Sequence, residues 1–247
     1  MLTERQIKII NELKKNPKIT VKQLAKKLFV SEPTIRRDFT KLHNRGLITK
    51  MYGGATVNVS SADSEIPFIV RESEKSMAKI NIGRKAASLV EDGMVVMLDG
   101  STSAYNIIPF LADKKDLICI TSGARTAIAL AEANIKTFST GGQMVIHSYS
   151  YVGEQAENFV SNINADILFF SCRALSADGE MTDRAIGEAS LRKKMFLKSK
   201  KRVLLCDSSK FNQMCFYSMG NICDIDAVIS DTELPEIIAG LIGKNRN

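Results

Sequence analysis

The chain of 247 residues is 45% hydrophobic and 25% charged, enough for two domains; no apolar run approaches the roughly 20 residues of a membrane span, and MLTERQIKII is no signal-peptide core, so a soluble, cytoplasmic protein without a membrane partner is expected. The net charge of +7 is uneven: residues through Val57 hold 13 basic against 4 acidic residues, or +9, while the remainder, with 21 basic and 23 acidic, is −2, so a basic module with the footprint of a polyanion binder precedes a nearly neutral body. Two distant histidines, His43 and His147, and five cysteines without CxxC spacing argue against a metal site, a histidine-based triad or a disulfide framework; no cofactor is expected, and the thiols read as small buried hydrophobes.

The first helix is predicted from a cap at Thr3 to Asn16-Pro17, with Ile7, Ile10 and Leu13 inward. A second, TVKQLAKKLF, starts at Thr20, which has capping-box spacing to Gln23, and buries Val21, Leu24, Ala25 and Leu28. After a turn at Phe29-Val30, Ser31 caps a third helix, with Pro33 in its first turn and Gly46 as its left-handed stop. Two short strands around Gly53-Gly54 follow as a hairpin. Three helices and a hairpin are the order of a winged helix-turn-helix, whose third helix enters the major groove. Burying Ile35, Phe39 and Leu42 turns the basic residues of that helix outward. Ser31, Thr34 and Arg37 are candidates for base or phosphate contacts, and Arg36, Lys41, Lys26 and Lys27 for phosphates. For any one arginine an ion pair, for instance of Arg37 or Lys41 with Asp38, competes with DNA contact; for the whole constellation it does not.

Residues 1–57 are therefore assigned to DNA binding, polar residues 58–74 to a linker or short extended arm, and 75–247 to a second domain. That domain alternates helices with short aliphatic strands. The helix KSMAKINIGRKAASLV precedes strand MVVML, and a helix from Asn106 to Leu111 precedes LICIT. ARTAIALAEA then precedes IKTFST, and DILFFS, RVLLC and DAVIS follow with EASLRKKMFLK between the first two. The fold class is α/β, a mostly parallel sheet covered on both faces behind the winged helix.

Ligands of such sheets bind beyond the carboxyl ends of the strands. Polar clusters stand there: Asp99-Gly100-Ser101-Thr102-Ser103, Thr121-Ser122-Gly123, Gly141-Gly142, Ser171-Cys172-Arg173 and Asp207-Ser208-Ser209-Lys210. Hydroxyls and glycines entering a helix suit an anion, Arg173 and Lys210 add charge, and Asp99 suits hydroxyls, so the site reads as one for a phosphorylated polyol. Any single cluster could be only a capped turn.

The stretch SEPTIRRDFTKLHNRGLITKMYGGATV closely resembles the DNA-binding signature of the DeoR family of bacterial repressors, through Ser31, Thr34-Ile35-Arg36-Arg37-Asp38, Leu42, Gly46-Leu47 and Gly53-Gly54-Ala55. It departs at Tyr52, where the family usually has histidine; tyrosine still offers a hydrogen bond to phosphate. Residues 75–231 resemble the family's sensor domain, similar in fold to sugar-phosphate isomerases, through DGSTS at 99–103, Gly141-Gly142, ADGEMTD…GEASLRKKM at 177–195 and CDSSKF at 206–211. They depart at Ser122, where asparagine often follows the threonine, and at Ser171-Cys172-Arg173, in place of a glycine-rich version. The resemblance implies a pocket lined by Asp99, Ser101, Thr102, Glu188 and Lys210. It implies a repressor of sugar-metabolism genes, modulated by a phosphorylated sugar. One short helix reads few base pairs, so a homo-oligomer, dimer or tetramer, is expected on its operator. The alternatives are a sugar-phosphate isomerase with a DNA-binding appendage and a basic module that binds protein.

Overall fold

A computed structural model describes residues 3–16, 19–57, 67–73 and 76–245. The chain divides into two compact units, Met1–Glu74 and Lys75–Asn247.

In the first unit, α1 (Glu4–Lys15), α2 (Val21–Lys27) and α3 (Glu32–Asn44) precede a hairpin of β1 (Ile48–Met51) and β2 (Gly54–Val57). Thr3 with Gln6 and Thr20 with Gln23 form full capping boxes, each pair satisfying two backbone N–H groups at a helix start. Ser31 sits extended at the start of α3, but its side chain makes no capping bond; its hydroxyl pairs with that of Thr34 at 2.9 Å. Gly46 takes φ +68 just beyond α3, as the stop requires. Ile9, Ile10, Leu13, Leu24, Ile35, Phe39, Leu42 and Ile48 fill the core. Ile9 thus takes the place expected of Ile7, which is half-buried.

Gly53 and Gly54 do different work. Gly53 has φ +74 in the hairpin turn, which a side chain would strain. Gly54 lets β2 approach the start of α2: a Cβ there would stand 3.2 Å from the Ile19 carbonyl oxygen. The expected linker needs correction. Residues 58–66 lie outside the described residues, as does Pro17, but α4 (Phe68–Ser73) is a helix, and its Val70 belongs to the winged-helix core. The polar composition of 58–74 hid the four-residue run Pro67-Phe68-Ile69-Val70, which is apolar enough to dock.

In the second unit, a six-stranded, wholly parallel sheet has the order β13-β11-β8-β3-β4-β5, from β3 (Val95–Leu98), β4 (Ile118–Thr121), β5 (Lys136–Ser139), β8 (Ala165–Phe170), β11 (Ser199–Leu205) and β13 (Ala227–Ile229). Side chains alternate across it, so Phe169 and Phe170 enter different cores. One core takes in α5 (Ser76–Ala87), α6 (Thr102–Tyr105) and α7 (Ala124–Glu132); the other takes in α8 (Glu154–Ser161), α9 (Ile186–Leu197) and α10 (Glu236–Leu241). The expected helix over 106–111 is instead the end of α6 followed by a 3-10 turn, Ile108–Phe110, because Pro109 has no N–H to extend an α-helix. Two small antiparallel additions are unforeseen: a hairpin of β6 (Gln143–Val145) and β7 (Ser150–Val152), and a sheet β12-β10-β9 from β9 (Ala174–Leu175), β10 (Glu180–Asp183) and β12 (Tyr217–Asn221). Strands of two to five residues are too short to display a period.

Candidate DNA-binding face and ligand site

In the winged helix, the apolar face of α3 is buried and Arg36, Arg37 and Lys41 are exposed, with Lys26 and Lys27 exposed on α2. Asp38 does not pair with Arg37 or Lys41. It points inward, buried, accepting from Arg5 Nε at 2.6 Å and from Gln6 Nε2 at 3.0 Å, and so ties α1 to α3. The bond to Asp38 holds the Arg5 guanidinium above its ordinary value. Arg36 lies 3.7 Å from Glu32, and Lys27 is 2.5 Å from Glu12. Arg37, Lys41 and Lys26 have no ion-pair partner among the described residues. Tyr52 is fully exposed at the tip of the hairpin. Arg37, Lys41 and Lys26 thus stand open to a partner outside the chain, with Ser31 and Thr34 at the start of α3.

In the second unit, the strand order reverses beside β3: β4 and β5 lie to one side, β8, β11 and β13 to the other. A crevice at such a switch point is where open parallel sheets bind ligands. Asp99 leaves β3 there and Ser171 leaves β8. Asp99 accepts from Ser101 N at 3.0 Å through one oxygen, and from Ser171 N at 3.1 Å and Arg192 Nε at 2.8 Å through the other. It therefore braces the two strand ends, and does not stand open for a hydroxyl as the sequence suggested. Arg192 also reaches Asp183 at 2.8 Å and Glu188 Oε2 at 3.1 Å. Burial works against its charge, but Asp99, Asp183 and Glu188 more than compensate and raise its pKa.

Lys210 comes to the same place from beyond β11. Asp207 caps the short turn Ser208–Lys210, and Lys210 Nζ donates to Ser171 Oγ at 2.6 Å. Burial would push the Asp207 carboxyl up; Lys210, the Ser209 hydroxyl and buried Lys79 overcome this and hold it below the usual carboxylate range. Cys172 and Cys206 follow β8 and β11 as neighbouring thiols: their interaction lowers Cys172 and raises Cys206, with burial raising both and Lys210 favouring both thiolates, while Cys206 Sγ donates to the Asp207 carbonyl at 3.8 Å. Arg173 is half-buried and has no ion pair among the described residues.

In the loop after β3, Ser101 caps α6 by accepting from Ala104 N at 3.1 Å, and Thr102 and Ser103 are buried beside it. Thr121 Oγ1 accepts from Gly123 N at 3.0 Å, and the Ser122 carbonyl accepts from Tyr151 N at 2.7 Å. The two loops nearly touch: a Cβ on Gly123 would lie 3.1 Å from Gly100 Cα. Gly141 and Gly142 form a left-handed turn, and a Cβ on Gly142 would stand 2.6 Å from the Val152 carbonyl, so packing accounts for Gly142. The structure thus gathers Asp99, Ser171, Glu188 and Lys210 into one network through Arg192, with Gly100 next to it and Gly123 against Gly100, while Gly141-Gly142 supports the hairpin.

Sequence reasoning missed Arg192, Asp183, Lys79, Thr126, Ser148 and Ser150. The i, i+4 spacing of Glu188 and Arg192 was a usable signal; Asp99, 93 residues away from Arg192, was not. Thr126 Oγ1, Ser148 Oγ, Ser150 Oγ and Glu188 Oε1 are the buried side-chain polar atoms without a hydrogen-bond partner among the described residues.

These two units define a DNA-binding transcription regulator: a winged helix-turn-helix followed by a parallel α/β sensor. Residues 5–61 match the family model of the DeoR-like helix-turn-helix domain, and residues 74–232 that of the DeoR C-terminal sensor domain. The chain belongs to the DeoR family. It is 34% identical to the HTH-type transcriptional regulator GolR of Listeria innocua, over 94% of this chain and 91% of that one. It is 33% identical to the uncharacterized HTH-type transcriptional regulator YulB of Bacillus subtilis, over 95% and 90%. With the putative aga operon transcriptional repressor of Escherichia coli O157:H7 it shares 30% identity over 94% and 87%.

Proposed function

We propose that this regulator is a cytoplasmic repressor of sugar-metabolism genes, in which residues 1–57 hold the operator and a phosphorylated sugar bound in 75–247 changes that hold. The observation that carries the effector reading is the polar network at the switch point, where Lys210 Nζ meets Ser171 Oγ at 2.6 Å and Ser171 N meets Asp99 at the start of the hydroxyl-rich loop after β3. Ser31, Thr34, Arg37 and Tyr52 contact the operator, with Lys26, Lys27, Arg36 and Lys41 on phosphates. Asp99, Gly100, Ser101, Thr102, Ser103, Thr121, Ser122, Gly123, Arg173, Glu188 and Lys210 line or support the effector site. A homo-oligomer doubles the readout of one short helix. The name of the aga operon relative supports repression, and no helix among the described residues is long and apolar enough to cross a membrane.

Binding alters DNA affinity only if the ligand prefers one state of the protein, and the coupling is then reciprocal. Operator fragments selected from genomic DNA, titrated with a panel of pentose and hexose phosphates, test this by fluorescence anisotropy. At least one should shift the operator affinity, and Lys210→Ala should blunt that shift. A panel that leaves affinity unchanged overturns the reading. The same panel assayed for aldose–ketose interconversion should show no turnover, since Asp99 is committed to Arg192; turnover would favour an isomerase.

A further inference from the structure

We infer that Cys172 and Cys206 are a redox pair, converted by hydrogen peroxide into a reversible disulfide that joins the ends of β8 and β11 and switches the regulator.

The pairing follows from the register of the sheet. β8 and β11 run parallel with Phe170 opposite Leu204, and one residue on the Ser171 hydroxyl still donates to the Leu205 carbonyl at 2.6 Å. The same register sets Cys172 opposite Cys206, and residues opposite each other in parallel strands share a face. Both thiols do lie in one core, the one that takes in α8, α9 and α10. Neighbouring strands are about 4.8 Å apart, which is within the Cα separation that a disulfide spans but wider than the Cβ separation of about 3.8 Å that it prefers. The bond therefore needs a small approach of the two strand ends and forms under strain. Strained disulfides are the readily reduced, regulatory ones.

The two sulfurs have different parts. The interaction with Cys206 lowers Cys172; burial and Asp183 oppose this, and Lys210 and Arg192 favour the thiolate, while Cys206 is raised. Cys172 is thus the nucleophile and Cys206 the resolving thiol. Cys119, in the other core, is pushed up to about 12 by burial and serves as an inert reference. The Cys172 thiolate attacks one peroxide oxygen: an S–O bond forms, the O–O bond breaks, and the released hydroxide takes up the proton that the thiol had lost. Cys206 then attacks the sulfenic sulfur, the S–S bond forms, and hydroxide leaves with the Cys206 proton as a second water. Two thiols are oxidised by two electrons and one peroxide is reduced to two waters. With Cys172 4% and Cys206 0% exposed, an oxidant the size of water fits the site better than a bulky disulfide.

The new bond acts on its neighbours. Ser171 precedes Cys172 and holds Asp99 and Lys210, and Asp207 follows Cys206 and caps the turn that carries Lys210. Drawing the strand ends together moves both.

The test uses the full chain with Cys215→Ser and Cys223→Ser, which removes the half-buried thiols. After peroxide treatment, peptide mass mapping should find the peptides of Cys172 and Cys206 joined, with Cys172 consumed at least about tenfold faster than Cys119. Oxidised glutathione should form the bond far more slowly, and reduced glutathione should reverse it. Cys206→Ala, checked for folding by circular dichroism, should stop with one oxygen added to Cys172. Operator affinity should differ about fivefold or more between the oxidised and reduced parent. Cys172 and Cys119 reacting alike, with no joined peptides, would overturn the pair; that comparison needs no change at either residue. A bond made as fast by oxidised glutathione would overturn the peroxide as its oxidant. One that reduced glutathione leaves intact, or that leaves operator affinity unchanged, would overturn the switch.

Discussion

Arginine is used in opposite ways in the two units. Arg37 stands exposed on α3 with no ion-pair partner among the described residues, while Arg192 on α9 has a side chain 6% exposed and carboxylates at 2.8, 2.8 and 3.1 Å. An exposed, unopposed cation adds little to its own fold and is available to a polyanion. A buried, fully paired one is committed to the architecture. Function in the winged helix therefore resides on the surface and is separable from stability. In the sensor, the polar residues of the candidate site also hold the sheet ends together.

The sharpest test of that contrast is Arg192→Met. It keeps the volume but leaves buried Asp99 and Glu188 and half-buried Asp183 without their cation, so about 3–5 kcal/mol of stability should be lost. Urea unfolding of the full chain measures it, and a loss below about 1 kcal/mol would show the cluster to be dispensable. Next in size is Asp38→Ala. Although it lies inside the basic signature, it should act through the fold, removing two charge-assisted bonds from α1 for about 3 kcal/mol. A variant that melts like the parent but no longer binds DNA would place Asp38 on the DNA instead.

Arg37→Ala should do the reverse: melting unchanged, operator discrimination reduced by roughly 1–3 kcal/mol. Arg36→Ala should cost less and act evenly on all sequences, because Glu32 already competes for that guanidinium at 3.7 Å. Anisotropy titrations with the operator and with unrelated DNA, each at several salt concentrations, separate the two arginines. Equal losses on both DNAs for both variants would mean that neither reads bases.

The winged helix was legible because its signals are local. Caps at Thr3 and Thr20, the stop at Gly46 and the turn at Gly53 each act within a few residues. Even there, the inward turn of Asp38 and the docking of α4 depend on tertiary contacts and were not visible. In the sensor, the strands and their polar ends were legible, and Asp99, Ser171 and Lys210 do come together. What joins them was not. Ser150 lies on a three-residue strand and reaches Gly100 only after β6 and β7 fold back, and Arg192 meets Asp99 across 93 residues of chain. Orphaned hydroxyls have no sequence signature at all, because partnership is a property of the fold.

The smallest expected effect isolates backbone from side chain in the helix-turn-helix turn. Phe29 adopts φ +54, and its side chain is 95% exposed. Its ring therefore adds almost nothing by burial, while its Cβ costs about 1 kcal/mol in the left-handed region. Phe29→Ala removes the ring and retains the Cβ, so the melting temperature should stay where it is. Phe29→Asn suits the same φ better and should gain up to about 1 kcal/mol. Phe29→Gly releases the strain fully but enlarges the freedom of the unfolded chain, so its gain should be smaller than that release. A Phe29→Ala protein that is clearly destabilised would mean that the ring contributes to the fold despite its exposure. One that melts normally but binds operator poorly would extend the DNA-binding face beyond α3 to the turn before it, making the strain at Phe29 a cost retained for function.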